Sequence, residues 1–225
     1  MLTLKNLTLI SVDGIDPEKA VKALSYSSRE INFEAISILS FRKPNNLTDK
    51  IKYIPIEKLN SEGYNRFIAT NLYKYLTTDF CIIVQPDGFL LNANQWTDEF
   101  LEYDYIGAPW PADLVDSVLV NKYNLPPHGS PWIGNGGFSL RSRRILQEVS
   151  KFPWPGGLED NLFCFDLRKH LESKGMKYPS IELGSKFSME CPLVQGKDRH
   201  LLPIDFSKHL GFHGLYPYLW KLLDK

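Results

Sequence analysis

The sequence has few cysteines and no excess of charge of either sign. Only three cysteines occur among 225 residues, at Cys81, Cys164 and Cys191. An odd number of widely separated cysteines with apolar neighbours excludes a disulfide scaffold and lacks the spacing of a zinc site, so we expect buried free thiols. Twenty-six basic residues balance 26 acidic ones, which removes the general electrostatic argument for a partner that is nucleic acid or an anionic membrane.

Long apolar runs are also missing. No stretch approaches the roughly 18 residues of a membrane span, and the N-terminus MLTLKNLTLISVDG lacks the features of a secretory signal. We therefore expect no transmembrane segment and a cytoplasmic location, free or peripheral to the inner membrane. The composition, with 43% hydrophobic and 23% charged residues, is that of an ordinary globular protein with a packed core.

The first part of the chain alternates strand and helix patterns. Strands are predicted at 7–12, 33–40, 52–56 and 80–84, with one helix beginning at Asp16-Pro17 and a second after Gly63. This β-α-β-β-α-β order predicts an α/β fold in which a mainly parallel central sheet carries helices on both faces. Further on we predict strands at 103–108 and 137–140, helices at 142–150 and 158–174, and an irregular segment at 109–136. No linker is evident, so one domain over 1–225 is expected.

The tetrapeptide Gln85-Pro86-Asp87-Gly88 directly follows the most apolar predicted strand. Ligands of open α/β sheets bind beyond the carboxyl ends of the strands, so Asp87 would face the expected crevice. Pro-Asp-Gly is also a favoured turn for reasons of backbone geometry alone. A turn and a binding site are compatible here, and both interpretations stay open.

Two later segments combine glycine with residues that could carry chemistry. The sequence GNGG at 134–137 lets backbone amides approach a ligand, but no Lys-Ser/Thr follows it as in a P-loop, and a bend entering a strand is the alternative. Glu159 and Asp160 follow Gly156-Gly157. They either begin a helix, which its macrodipole favours by roughly 0.3–1 kcal/mol each, or supply a general base for a substrate hydroxyl.

A histidine between glycines, His213, stands near the C-terminus. Together with Asp87 it would offer one nitrogen and one oxygen to a divalent ion, a set compatible with Mn²⁺ and less natural for Mg²⁺. Spacing alone does not bring the two residues together. The remaining histidines are interpreted as structural, namely His128, His170, His200 and His209.

Taken in order, five segments resemble the GT-A-type nucleotide-sugar glycosyltransferases, and most closely the DUF5672 family. They are CIIVQPDGFLLN, EYDYIGAPW, IGNGGFSLRSRR, LEDNLFC and GFHG. The resemblance implies a single Rossmann-like GT-A domain with a nucleotide-binding half at 1–90 and an acceptor-binding and catalytic half at 91–225. Its implied partners are a UDP- or GDP-sugar donor and a glycan or lipid-linked acceptor.

The resemblance also implies a role for each motif residue. Asp87 and His213 would hold Mn²⁺ or Mg²⁺, and Asp160 would be the catalytic base with Glu159 as its neighbour or substitute. Gln85 stands in the place of the first acid of the family's Asp-X-Asp motif and offers a neutral amide oxygen. Contacts with donor and acceptor would come from Val12, Asp13, Gln85, Trp132, Asn135, Gly136 and Gly137. Stacking of Trp132 on a sugar and its packing in the core are both open.

Three functions follow from these features. The first is an inverting glycosyltransferase that moves a sugar from a nucleotide-sugar to an acceptor hydroxyl in bacterial surface-glycan synthesis. The second is an inactive GT-A-like module that binds a nucleotide or glycan, because Gln85 replaces an acid. A sugar nucleotidyltransferase is the third, and it is disfavoured because Asp13-Gly14 stands where a glycine-rich basic loop would follow the first strand.

Overall fold

The structure is a computed structural model that describes residues 1–224, apart from the side chains of residues 197 and 200. The strands, in chain order, are β1 (Leu2–Asp13), β2 (Ile31–Ser40), β3 (Lys52–Pro55), β4 (Phe80–Ile83), β5 (Tyr105–Ile106), β6 (Pro109–Trp110), β7 (Trp132–Ile133), β8 (Ser139–Ser142), β9 (Ser188–Met189) and β10 (Gly211–Phe212). The α-helices are α1 (Pro17–Ser27), α2 (Ser61–Thr70), α3 (Ala112–Tyr123), α4 (Arg143–Val149), α5 (Glu159–Asn161), α6 (Arg168–Ser173), α7 (Ile181–Phe187) and α8 (Pro217–Trp220). Leu162–Asp166 is a π-helical turn, and short 3₁₀ turns lie at Leu72–Tyr75, Ala93–Gln95, Asp98–Glu102, Lys197–Leu201, Phe206–Lys208 and Lys221–Asp224.

Six strands form the central sheet in the order β3-β2-β1-β4-β8-β5. The first four run parallel, whereas β8 is antiparallel to both of its neighbours. The α/β fold with a mainly parallel sheet is thus confirmed. Because β1 and β4 are adjacent and parallel, the residues that follow them emerge at the same edge of the sheet.

The sheet is apolar on both faces. In β1, Leu9 packs in one core cluster together with α1, and its neighbour Ile10 packs in the other, which includes residues of α2 and α4. β4 repeats the alternation with Ile82 and Ile83. Successive strand residues point to opposite faces, so helices on both faces each need an apolar set, and full burial of each such side chain contributes roughly 1.5–3 kcal/mol.

The first two helices begin where capping residues allow. The Asp16 side chain accepts a hydrogen bond from the Lys19 N–H at 3.3 Å, and Pro17 occupies the first turn, as predicted. The second helix begins at Ser61, not after Gly63. Its cap is Asn60, whose side-chain oxygen accepts from the Gly63 N–H at 2.8 Å, so the glycine lies within the first turn.

The second half of the chain departs from the predicted elements. The segment 109–136, predicted as irregular, contains the 12-residue helix α3, which ends at Asn124 in the left-handed conformation. Its pattern is weak because apolar residues such as Val120 are exposed. The helix predicted at 158–174 is broken into α5, the π-helical turn and α6, since the π-helical turn adds a residue to the hydrogen-bonded ring.

Two of the three cysteines, Cys81 and Cys164, are buried free thiols as predicted, whereas Cys191 is partly exposed. Burial raises the pKa of the Cys81 thiol to about 12.

Within residues 1–224, no helix has both the length and the apolar character that crossing a bilayer requires.

Candidate functional site

A cleft of about 570 Å³ lies beyond the carboxyl ends of β1 and β4. Val12 and Asp13 from the end of β1 line it, and so do Gln85 and Asp87 from the turn after β4. Four of the predicted site residues are therefore at one cleft. Open α/β sheets bind ligands beyond the carboxyl ends of the strands, at the point where the strand order reverses. In this sheet that point lies between β1 and β4.

Asp13 shapes the floor of this cleft. One of its carboxylate oxygens accepts hydrogen bonds from the Ile15 and Asp16 N–H groups, each at 2.7 Å, which closes a tight turn into α1. Burial raises the pKa of Asp13, and these two hydrogen bonds act against that rise. Among the described residues no donor reaches the second oxygen of Asp13, a residue that lines the cleft.

The turn after β4 has the geometry that its sequence predicts. Gln85 N–H donates to the Gly88 carbonyl at 2.8 Å, and Gly88 N–H donates to the Gln85 carbonyl at 3.0 Å. The Gln85 side chain donates from Nε2 to the Tyr64 hydroxyl at 2.6 Å, which fixes its amide. The Asp87 side chain is held by neither bond and is 37% exposed, so its carboxylate faces the solvent of the cleft.

His213 meets this turn from the other end of the chain. It follows β10, which pairs with β9, and its N–H donates to the Met189 carbonyl at 2.9 Å. Its Nε2 lies 3.3 Å from Gln85 Oε1 and 3.8 Å from Asp87 Oδ1. The two residues proposed as metal ligands thus converge, although they are far apart in sequence.

These donors form an incomplete set for a divalent cation. Ligands roughly 2.1 Å from one ion are about 3–4 Å apart, and the separations of Asp87 and Gln85 oxygens from His213 Nε2 match that spacing. Among residues 1–224, however, no group of three or more His, Cys, Asp or Glu side chains is placed to hold a metal. The residues fit an ion only if a ligand such as a diphosphate supplies the remaining oxygens.

Asn135 orients the His213 ring. Its Nδ2 donates to His213 Nδ1 at 2.8 Å, while its Oδ1 accepts from the Gly137 N–H at 3.1 Å. Asn135 itself has a left-handed φ of 49°, which asparagine tolerates better than most residues. With Nδ1 accepting, the ring proton is on Nε2, and binding of an ion at Nε2 requires that proton to move.

Gly136 and Gly137 are required by close approach. A Cβ on Gly137 would overlap with the His213 ring and come within 2.9 Å of Gln85 Oε1. A Cβ on Gly136 would overlap with the Glu159 carboxylate and come within 2.8 Å of an Arg141 nitrogen. The backbone of this segment lies directly against the candidate site residues, which is compatible with both the bend and the site interpretation.

Glu159 forms a buried, bidentate ion pair with Arg141. The two nitrogen–oxygen distances are 2.6 and 2.9 Å, and the Arg141 and Glu159 side chains are 0% and 4% exposed. The Arg141 guanidinium also lies over the rings of Tyr105 and Phe163. Both Glu159 oxygens are occupied, which favours a structural role over the predicted catalytic one.

Asp160, by contrast, has acceptor capacity to spare. Its Oδ1 accepts from the Asn161 N–H at 2.8 Å, and the carboxylate has no ion-pair partner among the described residues. Burial, with the negative charge of Glu159 as the next cause, raises the pKa of Asp160 to about 7. Asp160 also contributes to the raised pKa of His213, so the two groups are within electrostatic reach.

Burial and nearby carboxylates shift the pKa of His213 in opposite directions. Burial lowers the pKa of its imidazole, and the nearby carboxylates, Glu190 first, outweigh burial and raise it. Glu190 Oε1 is 3.5 Å from His213 Nδ1, the same atom that accepts from Asn135 at 2.8 Å. The shorter contact, in which Nδ1 accepts from Asn135, belongs to the neutral imidazole. A protonated Nδ1 would donate to the Glu190 carboxylate instead.

Trp132 lies in an aromatic row and does not face the cleft described above. Its Nε1 donates to the Cys164 carbonyl at 2.9 Å, and its ring stacks on Phe165 with centroids 6.1 Å apart. The Arg168 guanidinium and the His128 ring also lie against it. These contacts favour packing as the role of Trp132, and its predicted contact with a sugar stays untested.

Three residues of the site were not singled out from the sequence. Tyr64 lies in the apolar stripe that predicts α2 and gives no separate signal. Arg141 belongs to a quoted motif and directly follows the strand predicted at 137–140, where a buried arginine would need an acidic partner. Glu190 lies outside every motif and becomes visible only through the pairing of β9 with β10.

Comparison with solved structures defines the fold class. A crystal structure of galactosyltransferase LgtC in complex with donor and acceptor sugar analogs aligns with a TM-score of 0.54 at 12% identity, over 98% of this chain and 95% of that one. An active-site mutant of LgtC aligns with a TM-score of 0.51 at 13% identity over the same shares. The fold is that of the GT-A-type glycosyltransferases.

The sequence match is narrower than the structural one. The model of the DUF5672 family, described as a protein of unknown function, matches residues 49–204, and the chain belongs to this family. No curated protein matches the chain in sequence.

Proposed function

We propose that the protein is a glycosyltransferase that moves a sugar from a UDP- or GDP-sugar to a hydroxyl of a glycan or lipid-linked acceptor. One observation carries the proposal. Asp87 and His213 lie 3.8 Å apart beside the cleft beyond β1 and β4, with Asp160 in electrostatic reach of His213. The fold shared with LgtC, whose solved complex holds donor and acceptor sugar analogs, supports the same assignment.

The cleft suits the nucleoside part of such a donor. Leu59, Trp220 and Leu223 give it apolar walls. Lys19 and Lys22 of α1 add ammonium groups, which pair with Asp16 and Asp224 in this structure. Apolar walls with a few polar groups are typical of ligand pockets, and lysine is a common partner of phosphate. The free oxygen of Asp13 would accept from a ribose hydroxyl.

The diphosphate would lie next to Asp87 and His213. These residues, with Gln85 as a neutral third donor, would hold Mn²⁺ or Mg²⁺ together with phosphate oxygens. When bound, such an ion neutralises the charge that develops on the departing nucleoside diphosphate. The Gly137 N–H donates to Asn135, the residue that also contacts the His213 ring. The Gly214 N–H donates to the Asp87 carbonyl at 2.8 Å and holds the backbone of Asp87 next to His213.

Asp160 would act as the general base in an inverting transfer. A pKa of about 7 means that a substantial fraction of this carboxyl is ionised near neutral pH and can take a proton from the acceptor hydroxyl. The hydroxyl oxygen would attack the anomeric carbon from the face opposite to the diphosphate. Glu159, held by Arg141, would keep the start of α5 in place. We also propose that the reaction takes place in the cytoplasm and serves bacterial surface-glycan synthesis, as the resemblance implies.

The proposal is tested with a panel of UDP- and GDP-sugars, with Mn²⁺, with Mg²⁺ and with EDTA. We expect release of nucleoside diphosphate with at least one donor, and NMR of the product should show an inverted anomeric configuration. Asp160→Asn should reduce turnover and leave donor binding intact. Asp166→Asn, in the π-helical turn that follows α5 and paired with Lys122, is the control. Absence of turnover with every donor and ion would contradict the proposal.

A second candidate is a module that binds nucleotides or glycans without catalysis. The observation that favours it is Gln85, whose amide is committed to Tyr64 and His213 in the place of a metal-binding acid. Calorimetry with UDP and GDP separates the candidates. Binding without turnover, together with Asp160→Asn that changes nothing, would support the module.

A further inference from the structure

Glu190 reaches the site through the small sheet of β9 and β10. Met189 pairs with Phe212 in the parallel register of these strands, so the next residues, Glu190 and His213, are neighbours. The Glu190 carbonyl accepts a hydrogen bond from the Tyr216 hydroxyl, which fixes the backbone at this point. The Glu190 side chain is 27% exposed, so part of it contacts solvent while its backbone is held by Tyr216.

A buried tryptophan orients the carboxylate. Trp110 Nε1–H donates to Glu190 Oε2 at 2.7 Å, and Trp110 is only 8% exposed. The Trp110 ring is itself held by stacking on Phe165, with centroids 5.8 Å apart and planes 12° from parallel. A carboxylate with one oxygen bound to a buried indole has few rotamers left, so its other oxygen has a defined position.

That second oxygen retains acceptor capacity. Glu190 Oε1 lies 3.5 Å from His213 Nδ1, beyond an ideal hydrogen bond, and the shorter contact of that nitrogen is to Asn135. An ionised carboxylate can accept about four hydrogen bonds. Glu190 is also among the negative charges that raise the pKa of Asp160, so the two carboxylates interact electrostatically.

The two ends of the His213 ring therefore face different groups. Asp87 and Gln85 lie at Nε2, beside the cleft proposed for the nucleotide, and Glu190 lies at Nδ1. With Asp160 as the proposed base, the transferred sugar would lie between the diphosphate and Asp160. Pairs of sugar hydroxyls are common ligands of an oriented carboxylate, because each hydroxyl donates a charge-assisted hydrogen bond.

We infer that Glu190, oriented by the Trp110 indole, binds hydroxyl groups of the transferred sugar and helps select which sugar the enzyme accepts. This inference rests on the proposed function. It assigns Glu190 to the sugar and leaves the base role with Asp160, so the two carboxylates have separable effects. Trp110 is a positioning residue, since it acts on the sugar through Glu190.

The experiment compares UDP with the UDP-sugar that the donor panel identifies, or GDP with its sugar, by calorimetry and kinetics. In Glu190→Gln and Glu190→Ala, affinity for the nucleotide-sugar should fall on the order of 10- to 100-fold, while affinity for the free nucleoside diphosphate stays unchanged. KM for the donor should rise more than kcat falls. Trp110→Phe should give a smaller rise in KM of the same kind.

Controls separate this result from damage to the fold. Glu182→Gln changes an exposed acid of α7 and should leave every value unchanged. Thermal melting of each variant should stay near that of the wild type, and Glu190→Gln is the conservative variant if Glu190→Ala or Trp110→Phe unfolds. A kcat loss in Glu190→Gln with unchanged donor affinity would overturn the inference in favour of a base role.

Two other outcomes are decisive. Equal weakening of the free nucleotide and of the nucleotide-sugar would assign Glu190 to the diphosphate region and overturn the inference alone. If the wild-type protein binds no nucleotide, the proposed function fails and the inference fails with it.

Discussion

Breaking the ion pair between Arg141 and Glu159 should strongly destabilise the protein. Both side chains are almost wholly buried, and the guanidinium is enclosed by Tyr105 and Phe163. Glu159→Gln keeps the volume of the side chain but leaves Arg141 charged and without its partner. Removal of one member of a buried pair costs about 3–5 kcal/mol, because the remaining charge is neither hydrated nor neutralised.

The expected loss is large enough to measure by urea unfolding and by thermal melting. For a chain of this size each kcal/mol lowers Tm by about 2–4 °C, so Glu159→Gln should lower Tm by roughly 6–20 °C. Arg141→Met should cost a similar amount. The double variant Arg141→Met/Glu159→Leu should cost clearly less than the sum of the singles, since it leaves no unpaired charge.

A surface pair is the matched control for this prediction. Glu172 pairs with Arg168 at 2.6 Å but is 49% exposed, so Glu172→Gln should cost about 0–1 kcal/mol. If Glu159→Gln unfolds within 1 kcal/mol of the wild type and matches Glu172→Gln, the buried pair does not hold the start of α5. Glu159 would then be free to act as the catalytic acid or base that its motif suggests.

Three further predictions concern the proposed reaction. Asp160→Asn should lower kcat on the order of 10²-fold. The wild-type rate should fall as pH drops through about 7, because protonation of Asp160 removes the base, and the variant should lack this fall. Gly137→Ala should weaken nucleotide-sugar binding at least 10-fold in calorimetry, since its Cβ overlaps with His213. In Gly129→Ala the Cβ meets no atom but the φ of 73° disfavours alanine, so its melting temperature gives the cost of backbone strain alone, and its nucleotide-sugar binding should stay unchanged. Asp87→Ala should abolish the effect of Mn²⁺ on UDP affinity, and an undiminished effect would exclude Asp87 as a ligand.

Local signals sufficed for the first half of the fold. The continuous apolar run at 80–84 predicts β4, because a strand covered on both faces needs apolar residues at every position, and shorter β-prone patterns predict β1 and β2. Asp16-Pro17 predicts the start of α1, because capping chemistry is local. The sequence misplaces the start of α2, because a glycine such as Gly63 is typical of a helix break, whereas Asn60 caps the helix in front of it.

The second half depends on contacts that sequence patterns do not contain. The amphipathic signal of α3 is weak, and the π-helical turn interrupts a pattern that is otherwise typical of one long helix. The convergence of Asp87 with His213 follows from contacts between the turn after β4 and the segment around β10, in which Leu90 bridges Gly211 and the Gly214 N–H donates to the Asp87 carbonyl. Glu190 enters the site through the pairing of β9 with β10, which are two residues long each and carry no periodicity.

The resemblance supplied roles that patterns alone left open. It implied both Asp160 and Glu159 at the base position, and only the side-chain contacts distinguish them, because Arg141 occupies one and leaves the other free. For Trp132 the contacts with Phe165 and Arg168 favour packing.

The most direct measurement is a crystal structure of the protein with UDP or GDP and Mn²⁺. We predict the nucleoside in the cleft between Asp13 and Trp220, and the diphosphate and ion against Asp87 and His213. A nucleotide bound elsewhere, or an ion that contacts neither residue, would contradict the account.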